Sequence, residues 1–445
     1  MKYTPIIGLE THVELKTASK MFCGCSAEYF GKTPNSHTCP VCLGLPGALP
    51  FPNKTAINWC VMIALALNCQ INKMSKFDRK NYFYPDLSKG YQISQYDLPF
   101  GYDGSITVSK DKGSSETKTI RIRRVHMEED TGKLAHAIVN GEKVSLIDFN
   151  RSGVPLVEIV TEPDFENEHQ VVEYLQKLQK IVRYLDVSNA DMDKGDMRLE
   201  PNISLQKEGE TELPNYKVEV KNINSFRFVD KAIKFEIIRQ TELLEKGERP
   251  AQETRGWNET KNATVSQRIK EEANDYRYFP EPDIPPIEFS QTEIDVLKNA
   301  LPELPDEKQK RFEQEFNLPS YDAEILARDR ALADYFEEAV KAGSEHNVTP
   351  KQIANTIINK KTNTEEVLPA QLIEMISSES KTEEIDPNEL GKIIHEVISE
   401  NPKAVADYKA GKEPILQFLI GQTMKKLGKK ADLTVIKSAI LEALK

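Results

Sequence analysis

Long apolar runs are missing from this sequence. No stretch of its 445 residues approaches the ~18 uncharged apolar residues that a membrane-spanning helix requires, so that element is excluded. The N-terminal MKYTPIIGLETHVEL alternates, without a signal peptide's apolar block and small-residue cleavage site. Cysteine is scarce: six residues in so long a chain are far too few for a disulfide scaffold. There is no G-x-x-x-x-G-K-[ST] loop and no G-x-G-x-x-G after a strand, which removes both the Walker and the Rossmann phosphate cradles. Without a G-x-S-x-G elbow a self-contained hydrolase or glutaminase is disfavoured too. Lys73-Met74-Ser75-Lys76 imitates a class I aminoacyl-tRNA synthetase signature, but the H-x-G-H segment that must accompany it is absent. The expectation is a cytoplasmic protein without a membrane partner.

What remains is an ordinary globular composition, 39% apolar and 29% charged, long enough for about three domains at ~150 residues each. The net charge is −11 and uneven. Lys403 to Lys445 holds nine lysines against four acids, so a basic end (net +5) follows an acidic body. That end reads either as a solvated helical face or as a tail touching a phosphate backbone.

Residues 1–290 read as strands with three helices. IIGLETHVEL, RKNYFYPD, KTIRIRRVHMEE and YKVEVKN alternate with period two. One helix follows a cap at Asn53, a second runs from about Glu166 to Leu185 with a Val171, Leu175, Leu178, Val182 stripe, and a third spans Phe226 to Lys246 and stops at Gly247. A proline-punctuated segment, Pro280 to Pro286, closes this part. Residues 291–345 read as a small helical domain, Gly343 to Thr382 as polar sequence with flexible connections, and a last helical unit begins near Asp386.

Two groups of residues offer chemistry. Cys23, Cys25, Cys39 and Cys42 form C-x-C followed by C-P-V-C-L-G; a C-P-x-C-x-G turn presents two sulfurs from one knuckle, and four thiolates suit a tetrahedral structural zinc over residues 23–42. Cys60 and Cys69 read as core packing. On strands, Glu10, His12 and Glu14 share one face, Arg124, His126 and Glu128 another, and Glu158 is the single acid in the apolar strand PLVEIV. Such faces are solvated edges, or walls of a site for a hard cation such as Mg²⁺. Lys80, Tyr82 and Tyr84 alternate on one strand face, which is either core or a platform for a base and a phosphate; Arg268, Lys270, Arg277 and the aromatics of DYRYFPEPDIPP make a similar offer.

Read together, GLETHVELKTASKMF, SKFDRKNYFYPDLSKGYQISQYDLP, RVHMEEDTGK, DFNRSGVPLVEIVTEPD, VKNINSF and DYRYFPEPDIP closely resemble the B subunits of aspartyl/glutamyl-tRNA amidotransferases, the GatB family. The resemblance is dense from Tyr3 to Pro286 and resumes in NPKAVADYKAGKEPILQFLIGQTMKK. It implies an α+β fold: a mixed-sheet catalytic domain (1–290) with a zinc knuckle, a helical domain (291–345) and a YqeY-like helical tRNA-binding tail (346–445). It also implies a heterotrimer with two partners, a glutaminase (the A subunit) and a small clamping protein (the C subunit). The B subunit would use ATP and Mg²⁺ to phosphorylate the side-chain carboxylate of misacylated Glu-tRNA(Gln) or Asp-tRNA(Asn), and ammonia would displace the phosphate.

By the same resemblance His12, Glu128 and Glu158 match the Mg²⁺ ligands, and Glu10 an acid in the same cavity, completing the catalytic set. Lys80, Arg198 and Glu200 fall in segments that could steady phosphate or substrate. The four cysteines match a structural Zn²⁺ site that some members lack, and Lys425, Lys426, Lys429 and Lys430 would be tRNA contacts. Two departures stand out: Arg198-Leu199-Glu200-Pro201-Asn202 replaces Arg-x-Asp-Ala/Val-Asn, and the region from Gly343 to about Glu400 is short. The rival reading is a non-catalytic tRNA-binding or assembly protein.

Overall fold

A computed structural model describes residues 3–269, 276–380, 386–428 and 433–444. It divides into two compact units, Met1–Lys308 with Arg328–Arg330, and Gln309–Ala327 with Ala331–Lys445. No helix among the described residues is long and apolar enough to cross a membrane.

The strands of the first unit are β1 (Tyr3–Glu14), β2 (Gln70–Ile71), β3 (Met74–Ser75), β4 (Asp78–Asn81), β5 (Tyr91–Ser94), β6 (Gly101–Ser109), β7 (Thr117–Glu129), β8 (Lys133–Val139), β9 (Glu142–Asp148) and β10 (Pro155–Thr161). They continue with β11 (Met197–Lys207), β12 (Val218–Lys221), β13 (Glu253–Asn258), β14 (Ala263–Ile269), β15 (Phe279–Pro280) and β16 (Ile287–Glu288). Nine of them form one mixed sheet in the order β14-β13-β12-β11-β1-β10-β7-β6-β2, in which only β12 and β13 run parallel. β4 and β5 belong to a separate three-stranded sheet with β15.

Period-two alternation gives the large sheet two unlike faces. One carries Leu9, Val13, Val125, Met127, Val157, Ile159 and Leu199, all at most 1% exposed. These residues share a single hydrophobic core with the helices α1 (Lys54–Ala66), α2 (Glu168–Tyr184) and α3 (Phe226–Glu245). Each buried Leu, Ile or Val contributes about 1.5–3 kcal/mol, so the helix-covered face anchors the unit. The three helices start where the sequence caps them: the side chains of Asn53, Asn167 and Ser225 accept from the backbone N–H of Ala56, Gln170 and Phe228. After α3 the chain turns through Gly247 at φ +77°, the left-handed position glycine takes without a Cβ penalty. The opposite face of the sheet carries Glu10, His12, His126, Glu128, Glu158, Arg198 and Glu200.

One expected strand is cut short. RKNYFYPD pairs only as far as Asn81, because Pro85 and the turn that follows it (Leu87 N–H to Tyr84 C=O) end the ladder; Phe83 is then 92% exposed. Tyr82 and Tyr84 therefore do not continue a strand face with Lys80.

The second unit is helical: α5 (Pro305–Glu315) enters it, followed by α6 (Ser320–Leu326), α7 (Arg330–Gly343), α8 (Pro350–Asn359) and α9 (Pro369–Ser380). It ends with α10 (Pro387–Glu400), α11 (Pro402–Lys409), α12 (Ile415–Leu427) and α13 (Leu433–Ala443); α4 (Gln291–Asn299) precedes it in the first unit. Within the stretch expected to contain flexible connections two helices form: α8 and α9 bury Ile353, Ala354, Ile357, Leu372, Ile373 and Ile376 in one core with Phe312 and Phe336. That core runs past residue 345, so the expected break between 345 and 346 falls inside it. The polar composition concealed short helices whose narrow apolar stripes are enough once they meet. A separate core joins Leu390, Ile394 and Val397 of α10 to Leu419 of α12 and Ile436 and Ile440 of α13.

Candidate active site

Across the polar face of the sheet, in-register pairing lines up four side chains on four adjacent strands: Arg198 (β11), His12 (β1), Glu158 (β10) and His126 (β7). Glu128 follows two residues along β7 on the same face. Single ligand atoms of His12, Glu128 and Glu158 all lie within 4.8 Å of one another. His12 Nε2 is 4.0 Å from Glu128 Oε2 and 3.8 Å from Glu158 Oε2. These gaps are too long for hydrogen bonds, so the three side chains face one another without closing on each other. The donor set, two carboxylates and an imidazole, suits Mg²⁺ or Mn²⁺.

Both carboxylates are nearly sealed from solvent yet held ionised. Burial opposes the charge on Glu128, but the Lys80 ammonium, His126 and His12 outweigh it and hold its carboxyl well below the usual carboxylate range. Glu158 is brought down to about 2 by the same balance, with burial and Glu128 opposed by His126 and His12. Direct contacts fix Glu128: Lys80 Nζ lies 3.4 Å from Oε1, the Ser94 hydroxyl donates to Oε1 at 2.8 Å, and the Gln92 amide donates to Oε2 at 3.2 Å. His126 lies 3.1 Å from Glu158 Oε2 and 3.7 Å from Glu128 Oε1, and these neighbours raise its pKa against the effect of burial. The Nδ1 atoms of His12 and His126 are buried and have no hydrogen-bond partner among the described residues.

The next register row holds Glu200 and Glu10 side by side, and with Glu219 of β12 they form a second convergent trio. Burial, with Glu158 and Glu200 nearby, raises the Glu10 pKa. Lys221 Nζ pairs with Glu200 at 2.7 Å and Glu219 at 3.3 Å. A cavity of about 310 Å³ opens beside Glu10, with Arg123, Asn202, Tyr216 and Lys217 in its wall; His12, Glu128 and Glu158 do not line it. Arg198, read from sequence as a possible phosphate contact, has its guanidinium engaged by Asp130 and by Glu14 at 2.5 Å. Lys80 is 5.3 Å from the Tyr276 ring, and Tyr82, Tyr276, Tyr278 and Tyr96 touch ring to ring beside it.

The four cysteine sulfurs also lie within 4.8 Å of one another. Cys39 and Cys42 Sγ are 3.9 Å apart, close to the ~3.8 Å edge of a tetrahedron with 2.3 Å Zn–S bonds. The cluster could hold a zinc ion. Backbone bonds shape the knuckle: Cys39 N–H points at Cys42 Sγ (3.1 Å) and Leu43 N–H at Cys39 C=O (3.0 Å). Gly44 follows at φ +66°, where a Cβ would press on the Lys89 backbone at 3.1 Å, which accounts for the glycine in C-P-V-C-L-G. A hydrogen bond from Cys23 pulls the Cys42 thiol down to about 4 against burial, whereas burial pushes Cys25 up to about 11.

In the tail, Lys425 and Lys426 end α12; Lys425 is exposed, and Lys426 pairs with Glu396 at 3.1 Å and Glu400 at 2.6 Å. Lys270, Lys429 and Lys430 lie outside the described residues. Gln92 and Ser94 carried no signal in the sequence, because only the docking of β5 beside β7 brings them to Glu128. His126 carried half of one: alternation put it on the face of Glu128 without saying that Glu158 would stand opposite.

With this geometry in view, two family models match the chain: the GatB/GatE catalytic domain over residues 5–295 and the GatB domain over residues 334–444. Curated relatives match along almost the whole length. The aspartyl/glutamyl-tRNA(Asn/Gln) amidotransferase B subunit of Carboxydothermus hydrogenoformans is 44% identical over 485 aligned positions, covering 100% of this chain and 99% of its own. The proteins of the same name from a Thermotoga species (45% over 475 positions, 97% of each chain) and from Thermomicrobium roseum (44% over 483 positions, 100% of this chain and 99% of its own) are similar to the same degree.

Proposed function

This chain belongs to the family of aspartyl/glutamyl-tRNA(Asn/Gln) amidotransferase B subunits, and on that premise we propose that its sheet face activates the side-chain carboxylate of Glu-tRNA(Gln) or Asp-tRNA(Asn) with ATP before amidation. The observation that carries the reading is the convergence of His12, Glu128 and Glu158 on one buried, ionised patch. As the B subunit of its complex, the chain would receive ammonia from a glutaminase (the A subunit) and be clamped to it by a small third protein (the C subunit). It contains no glutaminase signature of its own.

His12, Glu128 and Glu158 are the residues that would hold Mg²⁺. When bound there, the cation neutralises the charge that develops on transferring phosphoryl oxygens. The remaining work falls to the protein. Ser94, Gln92 and Lys80 keep the Glu128 carboxylate oriented and ionised. Lys80, 21% exposed at its side chain, has room to meet an incoming phosphate oxygen. The neighbouring tyrosines offer flat faces for a base at the 3′ end of the tRNA or in the nucleotide. Glu10, which burial makes easier to protonate, can accept or pass a proton as ammonia attacks. Zn²⁺ at the four cysteines would be structural, since all four ligands come from the protein and none is left for substrate. Helices α10–α13 would contact the body of the tRNA, with Lys425 and Lys426 at the end of α12 among the phosphate contacts.

The test uses the chain co-purified with its glutaminase and clamping partners and supplied with ATP, Mg²⁺, ammonium and Glu-tRNA(Gln) or Asp-tRNA(Asn). Ammonium bypasses the glutaminase, so the amidated product reports on this chain's own step. Wild type should form product and Glu128→Gln should not. Product from both moves the metal site elsewhere, and product from neither with either tRNA leaves a non-catalytic tRNA-binding or assembly protein.

A further inference from the structure

Lys20, within the GLETHVELKTASKMF segment, has no part in the chemistry above. Its side chain is fully buried, 0% exposed, and the two residues that follow it, Met21 and Phe22, are buried as well. Its ammonium donates to the His37 carbonyl at 2.8 Å and the Phe149 carbonyl at 3.3 Å, and lies 3.6 Å from Cys42 Sγ. Among the described residues no carboxylate stands within ion-pair distance of it; the lysines that pair with acids around the knuckle are others, such as Lys89 with Glu129.

A buried ammonium is costly unless an opposite charge stands beside it. The two carbonyls replace its water but leave its charge uncompensated. Among the described residues, the neighbour within reach that can carry negative charge is the sulfur of Cys42. Four neutral thiols would leave Lys20 stranded, whereas four thiolates around a dication carry two excess negative charges. A cation buried against one of those sulfurs cancels part of that excess.

We propose that Lys20 is the built-in counter-ion of the cysteine cluster, pairing with Cys42 as thiolate and thereby holding the knuckle in its metal-binding form. The proposal rests on the reading that the four cysteines bind zinc. It makes Lys20 a positioning residue for the metal, acting from outside the ligand set through a charge-assisted N–H···S contact. It also fixes what position 42 must supply, namely a negative charge, with the metal–sulfur bond as a second contribution.

The experiment has two arms on the full-length chain. In the first, zinc content is measured and zinc is transferred to a chromophoric chelator. Lys20→Met, which keeps volume and removes charge, should release the metal about 10–100-fold faster than wild type and shift the thiolate-to-metal charge-transfer band of the cobalt-substituted protein. In the second, metal-free Cys42→Asp and Cys42→Ser are melted in the Lys20 and Lys20→Met backgrounds. With Lys20 present, Cys42→Asp should melt above Cys42→Ser, because the carboxylate preserves the pairing; with Lys20→Met the order should reverse. If Lys20→Met fails to fold, the two Cys42 variants with Lys20 intact still decide. Zinc in wild type with unchanged release from Lys20→Met, or equal melting of the two Cys42 variants, overturns the role of Lys20 while leaving the zinc reading in place. A wild-type chain that takes up no zinc overturns both.

Discussion

His126 and Glu158 are directly opposed partners in the β7–β10 ladder, and their side chains meet on the polar face with Nε2 3.1 Å from Oε2. His12, the partner of Glu158 on its other flank, stands off at 3.8 Å. The same carboxylate is thus held by one imidazole and left open toward the other.

On the proposed reading this asymmetry would separate a positioning histidine, His126, from a metal ligand, His12. Replacing His126 by Asn should raise the Mg²⁺ concentration needed for half-maximal activity about 10–100-fold, the usual cost in metal affinity of losing a partner that orients a ligand. Replacing His12 by Asn should abolish activity at any Mg²⁺ concentration. Titrating Mg²⁺ in the ammonium-driven assay distinguishes them, and identical profiles would remove the assignment.

Glu14 and Asp130 share Arg198 but titrate in opposite directions. Burial and the nearby Asp130 raise Glu14 well above its ordinary 4.5 despite Arg198 and Arg151. Asp130, although buried, is held below its ordinary 3.8 by Arg151 and Arg198. A raised carboxyl stabilises the fold fully below about pH 4.5 and loses that contribution as pH rises through its folded value; a depressed one contributes above about pH 3.8 and loses it on acidification. Glu14→Gln should therefore melt at or above wild type at pH 8 and show a flatter decline between pH 5 and 8. Asp130→Asn should melt well below wild type at pH 8, with the gap closing in acid. Parallel melting curves for the two variants across that range would refute the pairing.

Glu236 of α3 is completely buried and serves two arginines, Arg239 at 2.8 Å and Arg255 at 3.1 Å, with Gln240 donating at 3.0 Å. Removing one partner of a buried pair costs about 3–5 kcal/mol. Glu236→Ala should lower the melting temperature of the first unit accordingly while the Mg²⁺ dependence of surviving protein stays unchanged. A loss of a few tenths of a kcal/mol by chemical denaturation would mean that Glu253, which already pairs with both arginines, is partner enough for them.

Deleting α10–α13 removes a core of its own, built from Leu390, Ile394, Val397, Leu419, Ile436 and Ile440. A chain ending before Asp386 should keep its ATP affinity and lose most of its affinity for tRNA, with a flatter salt dependence as lysine–phosphate contacts disappear. Unchanged tRNA affinity would refute the tail assignment.

Much of this molecule was legible from residue order, for reasons local to the chain. Asn53, Asn167, Ser225 and Gly247 mark helix ends because capping is satisfied within a few residues. Alternation in β1, β7 and β10 told which side chains share a face because a strand permits no other geometry. The four cysteines announced their cluster because a knuckle is a local turn. Misreadings arose where the partner is distant: RKNYFYPD looked like a longer strand than β5 could pair with, and the polar stretch from Gly343 gave no sign that α8 and α9 share a core with Phe312 and Phe336.

Residue order thus supplies the chemistry on offer: which acids, imidazoles and thiols exist, and which of them alternate onto common faces. Tertiary structure alone decided which of these face one another. Strand order puts β10 between β1 and β7, and only that order brings Glu158 between His12 and His126. Nothing within a few residues of Arg198 foretells that Glu14 and Asp130 will claim its guanidinium, or within a few of Lys20 that Cys42 and the His37 and Phe149 carbonyls will enclose its ammonium. Charges buried in this way are set by long-range packing, since desolvation and pairing exist only once the chain has closed around them.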